Sequence, residues 1–149
     1  MATTITTSDL TVSITESVTL NGVDQGGSHT LTVSDVKETD RRIVNVDTTE
    51  VDIIGFGTGN AQGQFERTEV KYIRITNLDD TNYLTLGISK TGADTAYLKL
   101  EAGKSAIFGN DDLEVDAAGG ASSAFVEADS ISGKANGAAV DVEYFVALA

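Results

Sequence analysis

Five parts of the sequence combine residue types that could do chemistry. They are the only histidine, two pairs of adjacent aspartates, an acidic stretch and a glycine-rich stretch: His29, Asp79/Asp80, Asp111/Asp112, Asn110–Asp116 and Gly55–Gly59. The histidine could serve nucleophilic catalysis, and either aspartate pair could serve glycoside hydrolysis. The acidic stretch could bind calcium, and the glycine-rich stretch could bind phosphate. Each hypothesis makes further demands on the surrounding sequence, and those demands decide it.

His29 could act as the base of a serine triad only if a serine and a carboxylate met its imidazole in a pocket. The sequence contains no Gly-x-Ser-x-Gly nucleophile elbow, and the absence of cysteine removes the thiol nucleophile as well. His29 follows the turn-forming residues Gln25-Gly26-Gly27, so we expect it to be exposed in a hairpin. We predict no catalytic residue in the chain, which is therefore not an enzyme.

The aspartate pairs could in principle hydrolyse glycosidic bonds, but sugar sites usually also present aromatic platforms. Tryptophan is absent, and the remaining aromatic residues stand mostly at strand positions where packing in the core is expected: Tyr72, Tyr83, Tyr97, Phe108 and Tyr144. We predict neither a hydrolase nor a sugar-binding module.

Asn110–Asp116 alternates oxygen ligands in a way that could hold calcium, yet it lacks the spacing and terminal glutamate of an EF-hand loop. Acidic loops are also expected in a chain with a formal charge of -13. We predict no cofactor, with calcium left open as the alternative. The acidic turn around Asp79 invites the same idea, but its side chains are expected to hydrogen-bond their own backbone: Asn77, Asp79, Asp80 and Asn82.

Gly55–Gly59 is followed by neither a helical pattern nor a suitably placed lysine, so we predict a flexible connection rather than a phosphate loop. The basic residues cluster locally at two places, Arg41-Arg42 and the set Arg67, Lys71 and Arg74. We expect them to pair with acidic neighbours in the same chain, and contact with an acidic partner surface is the alternative.

Composition excludes several classes of partner. The 149 residues carry 10 lysines and arginines against 23 aspartates and glutamates, a balance that repels nucleic acid and anionic membrane surfaces. No apolar run is long enough to span a membrane, and the first residues lack the basic and apolar regions of a signal peptide. We expect a product that stays in the cytosol and reaches any particle by assembly.

Apolar residues that recur at every second position predict β-strands throughout the chain. The clearest case is the alternating set near the C-terminus, and shorter sets precede it: Val140, Val142, Tyr144, Val146 and Leu148; Leu10, Val12 and Ile14; Ile73 and Ile75; Leu84, Leu86 and Ile88; Leu98 and Leu100. Each is expected to be a strand with one buried face.

The connections carry turn signals. Asn21-Gly22 and Asn136-Gly137 supply the positive φ angles of tight hairpins, and residues 71–109 predict a meander of four strands joined by polar or glycine turns. The fold class predicted is all-β, an antiparallel β-sandwich or jelly roll with Gly, Asn and Asp hairpin turns, with a barrel as the alternative. Asp116–Ser123 is expected to be a loop.

We divide the chain into a polar N-terminal arm, residues 1–9, and a single β-sandwich domain, residues 10–149. The arm has little to bury and is expected to be mobile or ordered by a neighbouring subunit. The chain also contains no proline, which commonly protects the edges of sheets. This absence favours edges that are covered in an assembly.

Residues 71–87 resemble a pattern in small virion structural proteins of tailed bacteriophages, particularly phages of marine bacteria. A strand ending in Ile75-Thr76-Asn77 leads through the turn Asp79-Asp80-Thr81-Asn82-Tyr83 into the next strand. The likeness continues through the glycine turn of Leu98–Phe108 and ends at the strand Ala139–Ala147, and so covers about half of the chain. One departure is Ala102, where related phage modules often have proline.

The resemblance implies a virion protein, assembled in the host cytoplasm, and transfers no catalytic residue. Within that class we predict a capsid decoration (cement) protein that bridges capsid subunits through edge strands and the arm Ala2–Asp9. Its partners would be the major capsid protein or other virion proteins, in a homo-oligomer or multi-copy lattice, with no nucleic acid and no membrane. The alternative is a tail, adaptor or fibre-associated protein that binds a host surface.

Overall fold

The computed structural model describes residues 4–58, 63–91, 95–109 and 128–149. These residues form strands and no helix, and hence no helix that could cross a membrane. In chain order the strands are β1 (Ser8–Glu16), β2 (Thr19–Leu20), β3 (Val23–Asp24), β4 (Gly27–Val36), β5 (Glu38–Val46), β6 (Val51–Gly57), β7 (Gln64–Glu66), β8 (Val70–Asn77), β9 (Leu84–Ser89), β10 (Thr95–Leu100), β11 (Ser105–Phe108), β12 (Ser130–Ala135) and β13 (Val140–Leu148).

Two sheets enclose the main core. Sheet I has the strand order β11-β8-β13-β5, and sheet II has the order β10-β9-β12-β6-β7. All neighbours are antiparallel except β6 and β7, which run parallel. Alternate residues of the central strands meet between the sheets, among them Ile73, Ile75, Leu84, Leu86 and Ile131, all fully buried. The prediction of an all-β sandwich is confirmed.

Strand β13 has the inward face that its alternation predicts, because Val140, Val142, Tyr144, Val146 and Leu148 are all buried. The prediction of only one buried face is wrong for this strand, since Ala147 on the opposite face is also fully buried. A further pair of strands covers that face from outside.

The covering element is the projecting hairpin, residues 8–36, in which β1 pairs with β4 and the short strands β2 and β3 form the tip. Its base packs on the outer face of sheet I. There Val33 forms a second buried cluster with Tyr72 and Ala147, joined by half-buried side chains from both partners: Leu10, Val12, Leu31, Val36, Phe145 and Ala149. The aromatic rings of Tyr72 and Phe145 meet edge to face at 6.0 Å.

The predicted boundary of the N-terminal arm falls inside this hairpin. Strand β1 begins at Ser8, and the Asp9 carboxylate accepts a hydrogen bond from the backbone N–H of Asp35. The Thr7 hydroxyl donates to the Asp35 carboxylate. Residues 7–9 are therefore held by their own chain, while the division into an arm and one domain otherwise stays a prediction.

The predicted four-stranded meander is wrong, because β8 and β11 lie in sheet I whereas β9 and β10 lie in sheet II. Only the β9–β10 hairpin is confirmed. The chain crosses from one sheet to the other before and after this hairpin. The buried side-chain amide of Asn77 forms hydrogen bonds at both crossings. The Asn77 side chain donates to the carbonyl oxygens of Asn82 and Leu100, and its backbone N–H donates to that of Lys104.

The two Asn-Gly turns have different outcomes. Asn21 and Gly22 have φ angles of 51° and 80°, and they bring Leu20 opposite Val23 in a tight hairpin, as predicted. Gly137 also has a positive φ, but the turn at Asn136-Gly137 joins β12 of sheet II to β13 of sheet I. This turn is therefore a connection between the two sheets and not a hairpin.

The glycine-rich stretch is also different from the prediction, since Gly55 and Gly57 belong to strand β6 and form no flexible connection. The Gln64 side chain of the parallel neighbour β7 lies over both glycines. A Cβ atom on Gly57 would displace the Gln64 amide oxygen, whereas one on Gly55 would make an ordinary contact with the Gln64 Cγ atom. Gly59 lies outside the described residues.

Candidate functional site

The distal part of the projecting hairpin is the most exposed feature of the described chain. Every residue from 13 to 30 is exposed except Gly26, which is half-buried. Large apolar side chains are included: Leu20 and Val23 are 59% and 58% exposed, and Ile14 and Val18 also face solvent. An isolated two-stranded hairpin is marginally stable in water, and exposed apolar clusters mark interaction sites. The tip therefore has the properties of a binding element.

Charge adds to this description. The chain contains no lysine or arginine before Lys37, whereas the projecting hairpin carries four carboxylates, at Asp9, Glu16, Asp24 and Asp35. A partner surface for the hairpin would combine apolar contacts with cationic side chains, since an acidic surface would repel it.

The outer face of sheet I beyond the base of the projecting hairpin has such side chains. Glu143 lies there with a side chain only 10% exposed, and two arginines hold its carboxylate. Arg74 donates to Oε1 at 2.6 Å, and Arg41 donates to Oε2 through Nε at 2.9 Å and Nη2 at 2.6 Å. The arginines come from the strands on either side of β13, so pairing between distant segments creates this triad.

The expectation that basic residues pair within the chain is confirmed for Arg41 and Arg74, and for Arg67, which contacts the Asp129 carboxylate at 3.2 Å. The burial of Glu143 was not predicted, because alternation along β13 assigns it to the solvent-facing side. Arginines at outward positions of β5 and β8 could have indicated this burial. The sequence, however, does not show that these two strands are the neighbours of β13.

The hydrogen bonds from Arg74 and then Arg41 lower the pKa of Glu143 below its ordinary value. Hydrogen bonds from the backbone N–H and then the side chain of Thr91, together with the nearby Arg67, likewise lower the pKa of Asp129. A carboxyl group whose pKa is lower in the folded than in the unfolded state stabilises the fold above the unfolded-state pKa. That contribution is lost as pH falls through the folded-state pKa.

Glu143→Gln should therefore remove part of the acid sensitivity of the fold. We expect the variant to be less stable than the parent at neutral pH and to lose less stability as pH falls below the ordinary range of a glutamate. Urea unfolding at a series of pH values measures this, with the exposed Glu101→Gln as the matched control. Parallel stability curves for Glu143→Gln and the parent would contradict the assignment.

A polar cleft of about 350 Å³ opens between the sheets at the edge formed by β5, β6 and β7. Charged residues of β5 line this cleft. Glu38, Asp40 and Arg42 lie on the same face of the strand as the more buried Val44 and Val46. The buried Tyr144 donates its hydroxyl to the Asp40 carboxylate at 2.9 Å. Inward-pointing charges are a known protection of edge strands against unwanted pairing.

The described residues around this cleft supply hydrogen-bonding and charged groups. Burial, and then the neighbouring Asp40, raises the pKa of Tyr144, so its phenol stays protonated at neutral pH and acts as a donor. Among the lining residues that the structure describes, there is no histidine, serine or cysteine.

The candidate residues singled out in the sequence are not brought together. His29 lies exposed in β4 opposite Ile14, as predicted. Asp79 accepts hydrogen bonds from the backbone N–H groups of Thr81 and Asn82, as predicted for a turn, and these bonds, that of Asn82 first, lower its pKa. Within the described ranges, no group of three or more metal-ligating side chains is present. Asp111/Asp112 and the whole of Asn110–Asp116 lie outside them.

The aromatic residues follow the prediction of core packing only in part. Tyr72 and Tyr144 are buried, and Tyr83 is half-buried with the Lys99 ammonium group 4.1 Å from its ring centroid. Tyr97 is 66% exposed, so the prediction is wrong for this residue. It lies on β10, an edge strand of sheet II whose side chains up to Lys99 are largely uncovered. Tyr97 is the one exposed aromatic residue in the described part of the chain.

No protein-family model and no curated protein matches the chain. Among solved structures, the chain is similar to a protein of Bacillus endospore appendages, which are described as a novel family of disulfide-linked pili. The two are 13% identical, with 74% of this chain and 84% of that chain covered and a TM-score of 0.46. A likeness this distant does not bear on the function of the present chain.

Proposed function

We propose that the protein is a structural subunit of a virus particle and that it decorates the capsid. It would bind across neighbouring capsid subunits and add buried interface to the shell. The observation that carries the proposal is the projecting hairpin, whose exposed apolar tip makes no contribution to either buried cluster. The virion assignment itself rests on the resemblance of residues 71–87 and 98–108 to phage virion proteins.

Three surfaces are suited to such bridging. The tip of the projecting hairpin reaches away from the sandwich, while β5 and β10 are the longest edge strands of the two sheets and have one unpaired side each among the described strands. Edge strands with free N–H and C=O groups are templates for pairing with another chain. The same surfaces repeated on many copies would distribute the pressure of packaged DNA over many interfaces.

A sugar-binding role is less well supported by the same geometry. Carbohydrate sites combine aromatic platforms with convergent polar groups, whereas Tyr97 stands alone on β10 and Tyr72 is covered by the projecting hairpin. The polar cleft at Asp40 supplies hydrogen-bonding groups with only the half-buried Phe65 and the buried Tyr144 beside them.

Copy number separates the capsid proposal from its alternative. A shell protein is present in on the order of hundreds of copies per particle, following the capsid symmetry, and a tail or fibre component in about a dozen or fewer. We expect quantitative gel densitometry of purified particles, normalised to the major capsid protein, to give the high value. A low count would overturn capsid decoration in favour of the tail, and absence from the particle would overturn both.

A further inference from the structure

We propose that strand β10 pairs with β10 of a second copy of this chain, antiparallel and around a two-fold axis, so that sheet II continues from one molecule into the next. The inference deepens the proposed function, on which its role in the particle rests, by naming the partner of one of the three bridging surfaces. The tip of the projecting hairpin remains available for the capsid.

The four edge strands of sheets I and II, in the part of the chain that the structure describes, differ in their protection against pairing. β7 and β11 are short, with three and four residues. β5 turns charged side chains to the polar cleft. β10 has six residues, pairs with β9 in an unbroken register and contains no proline and no inward charge. It is therefore the edge strand to which another strand adds most readily.

The inner face of β10 carries apolar side chains that its own molecule leaves uncovered. Ala96 and Leu98 lie opposite Ile88 and Leu86, which both belong to the main core. Nevertheless Ala96 is exposed and Leu98 is 42% exposed, whereas Leu100 at the end of the strand is buried. A strand that adds beside β10 would shield the two exposed side chains from water.

The outer face of β10 presents the exposed ring of Tyr97. This residue lies opposite Gly87, and its Cε1 atom is 3.2 Å from the position that a Cβ atom on the glycine would take. The ring therefore rests on the sheet where the neighbouring strand has no side chain. Lys99 follows on the same face of β10.

A two-fold axis at Leu98 brings matching side chains together on both faces. Leu98 then lies opposite Leu98 of the second copy, Ala96 opposite Leu100, and Tyr97 opposite Lys99. The inner face pairs apolar side chains only, and on the outer face a lysine meets a tyrosine ring. An axis shifted by one residue towards the C-terminus would instead place the two Lys99 side chains opposite each other.

Charge favours a second copy as the occupant. The chain has a formal charge of -13, yet β10 contains no carboxylate. Its one cation, Lys99, forms an ion pair with Glu101 at 2.6 Å, so residues 95–101 are neutral as a whole. Two copies of an acidic protein can approach at this edge with little local repulsion, while a basic partner surface would find no net attraction there.

A contact of β10 with itself is isologous, so it closes with two molecules and does not generate a fibre. Each dimer would carry two projecting hairpins. Because attachment at two points slows release, the pairing would strengthen the hold of the protein on the shell without a new contact to the capsid.

Two variants of the full chain with opposite charges at the axis test the contact. Leu98→Lys and Leu98→Glu each place two like charges opposite each other in the dimer. Ile107→Lys is the matched control, because it changes an apolar side chain that is also 42% exposed and also lies on an edge strand, β11. Circular dichroism and thermal melts establish that all three fold.

Sedimentation velocity over a range of protein concentrations then gives the result. We expect the parent and the control to form the same dimer, and each Leu98 variant alone to have a dissociation constant at least about tenfold higher. An equimolar mixture of the two Leu98 variants should form a one-to-one dimer at concentrations where neither associates with itself. A parent that stays monomeric, Leu98 variants that dimerise like the parent, or a mixture without the dimer would each overturn the proposal.

Hydrogen exchange of the unmodified protein gives a second readout that needs no variant. Backbone N–H groups of β10 should exchange more slowly as the protein concentration rises, and unchanged exchange would also overturn the proposal. Since copy number in particles is measured separately, failure of the dimer leaves capsid decoration standing, and a low copy number leaves this contact standing.

Discussion

Leu20→Ser combined with Val23→Ser should lower the affinity of the protein for its particle about a hundredfold. Both side chains are more than half exposed at the tip of the projecting hairpin and lie on one face as a cross-strand pair. Burying a leucine or valine side chain contributes about 1.5 kcal/mol or more, and about 3 kcal/mol in total corresponds to roughly a hundredfold change. Because neither residue belongs to a buried cluster, the fold should be unaffected.

The measurement is co-sedimentation of added protein with particles that were assembled without it. Thr19→Ser is the matched control, since it changes a polar side chain in the same short strand and removes one methyl group. We expect the control to bind like the parent. Equal binding by the double variant and the parent, with all three proteins folded, would show that the tip is not the attachment element.

Asn77→Ala should lower the free energy of unfolding by about 2–4 kcal/mol. The amide is fully buried and donates to the carbonyl oxygens of Asn82 and Leu100, and its own oxygen accepts from the backbone N–H of Asp79. Alanine removes the Asn77 partner of the buried Leu100 carbonyl oxygen and of two part-buried backbone groups, at the corner where the chain twice changes sheets. The free energy of unfolding in urea reports the effect.

Asn45→Ala is the control for this substitution. Its amide also donates to a side chain on another strand, the Asp141 carboxylate at 2.9 Å, but the pair is exposed and water can replace it. We expect a loss below about 0.5 kcal/mol. Similar losses for the two asparagines would mean that the corner is not held by Asn77.

Strands and local turns could be predicted from the sequence because they depend on neighbouring residues. The alternation of Val140 through Leu148 marks the inward face of β13, and Asn21-Gly22 specifies its hairpin through positive φ angles. Sheet membership could not be predicted in the same way. The turn after β8 has the polar composition of a hairpin, yet it carries the chain to the other sheet, and long-range bonds from Asn77 decide the path.

The surfaces proposed for assembly show the same limit. The alternation of Leu10, Val12 and Ile14 is that of any strand, and nothing in it indicates that the first two pack on the outside of a sheet while the third stays in solvent. Glu143 reads as a solvent-facing residue until pairing brings Arg41 and Arg74 to it from strands that are 102 and 69 positions away. Which residues are exposed, and next to what, depends on this tertiary arrangement.

A cryo-electron-microscopy map of the particle that contains this chain tests the central claim most directly. The account predicts many symmetric copies on the capsid, each with Leu20 and Val23 at the tip of the projecting hairpin covered by protein density. Tips that extend into solvent on every copy, or a chain that is absent from the capsid, would contradict it.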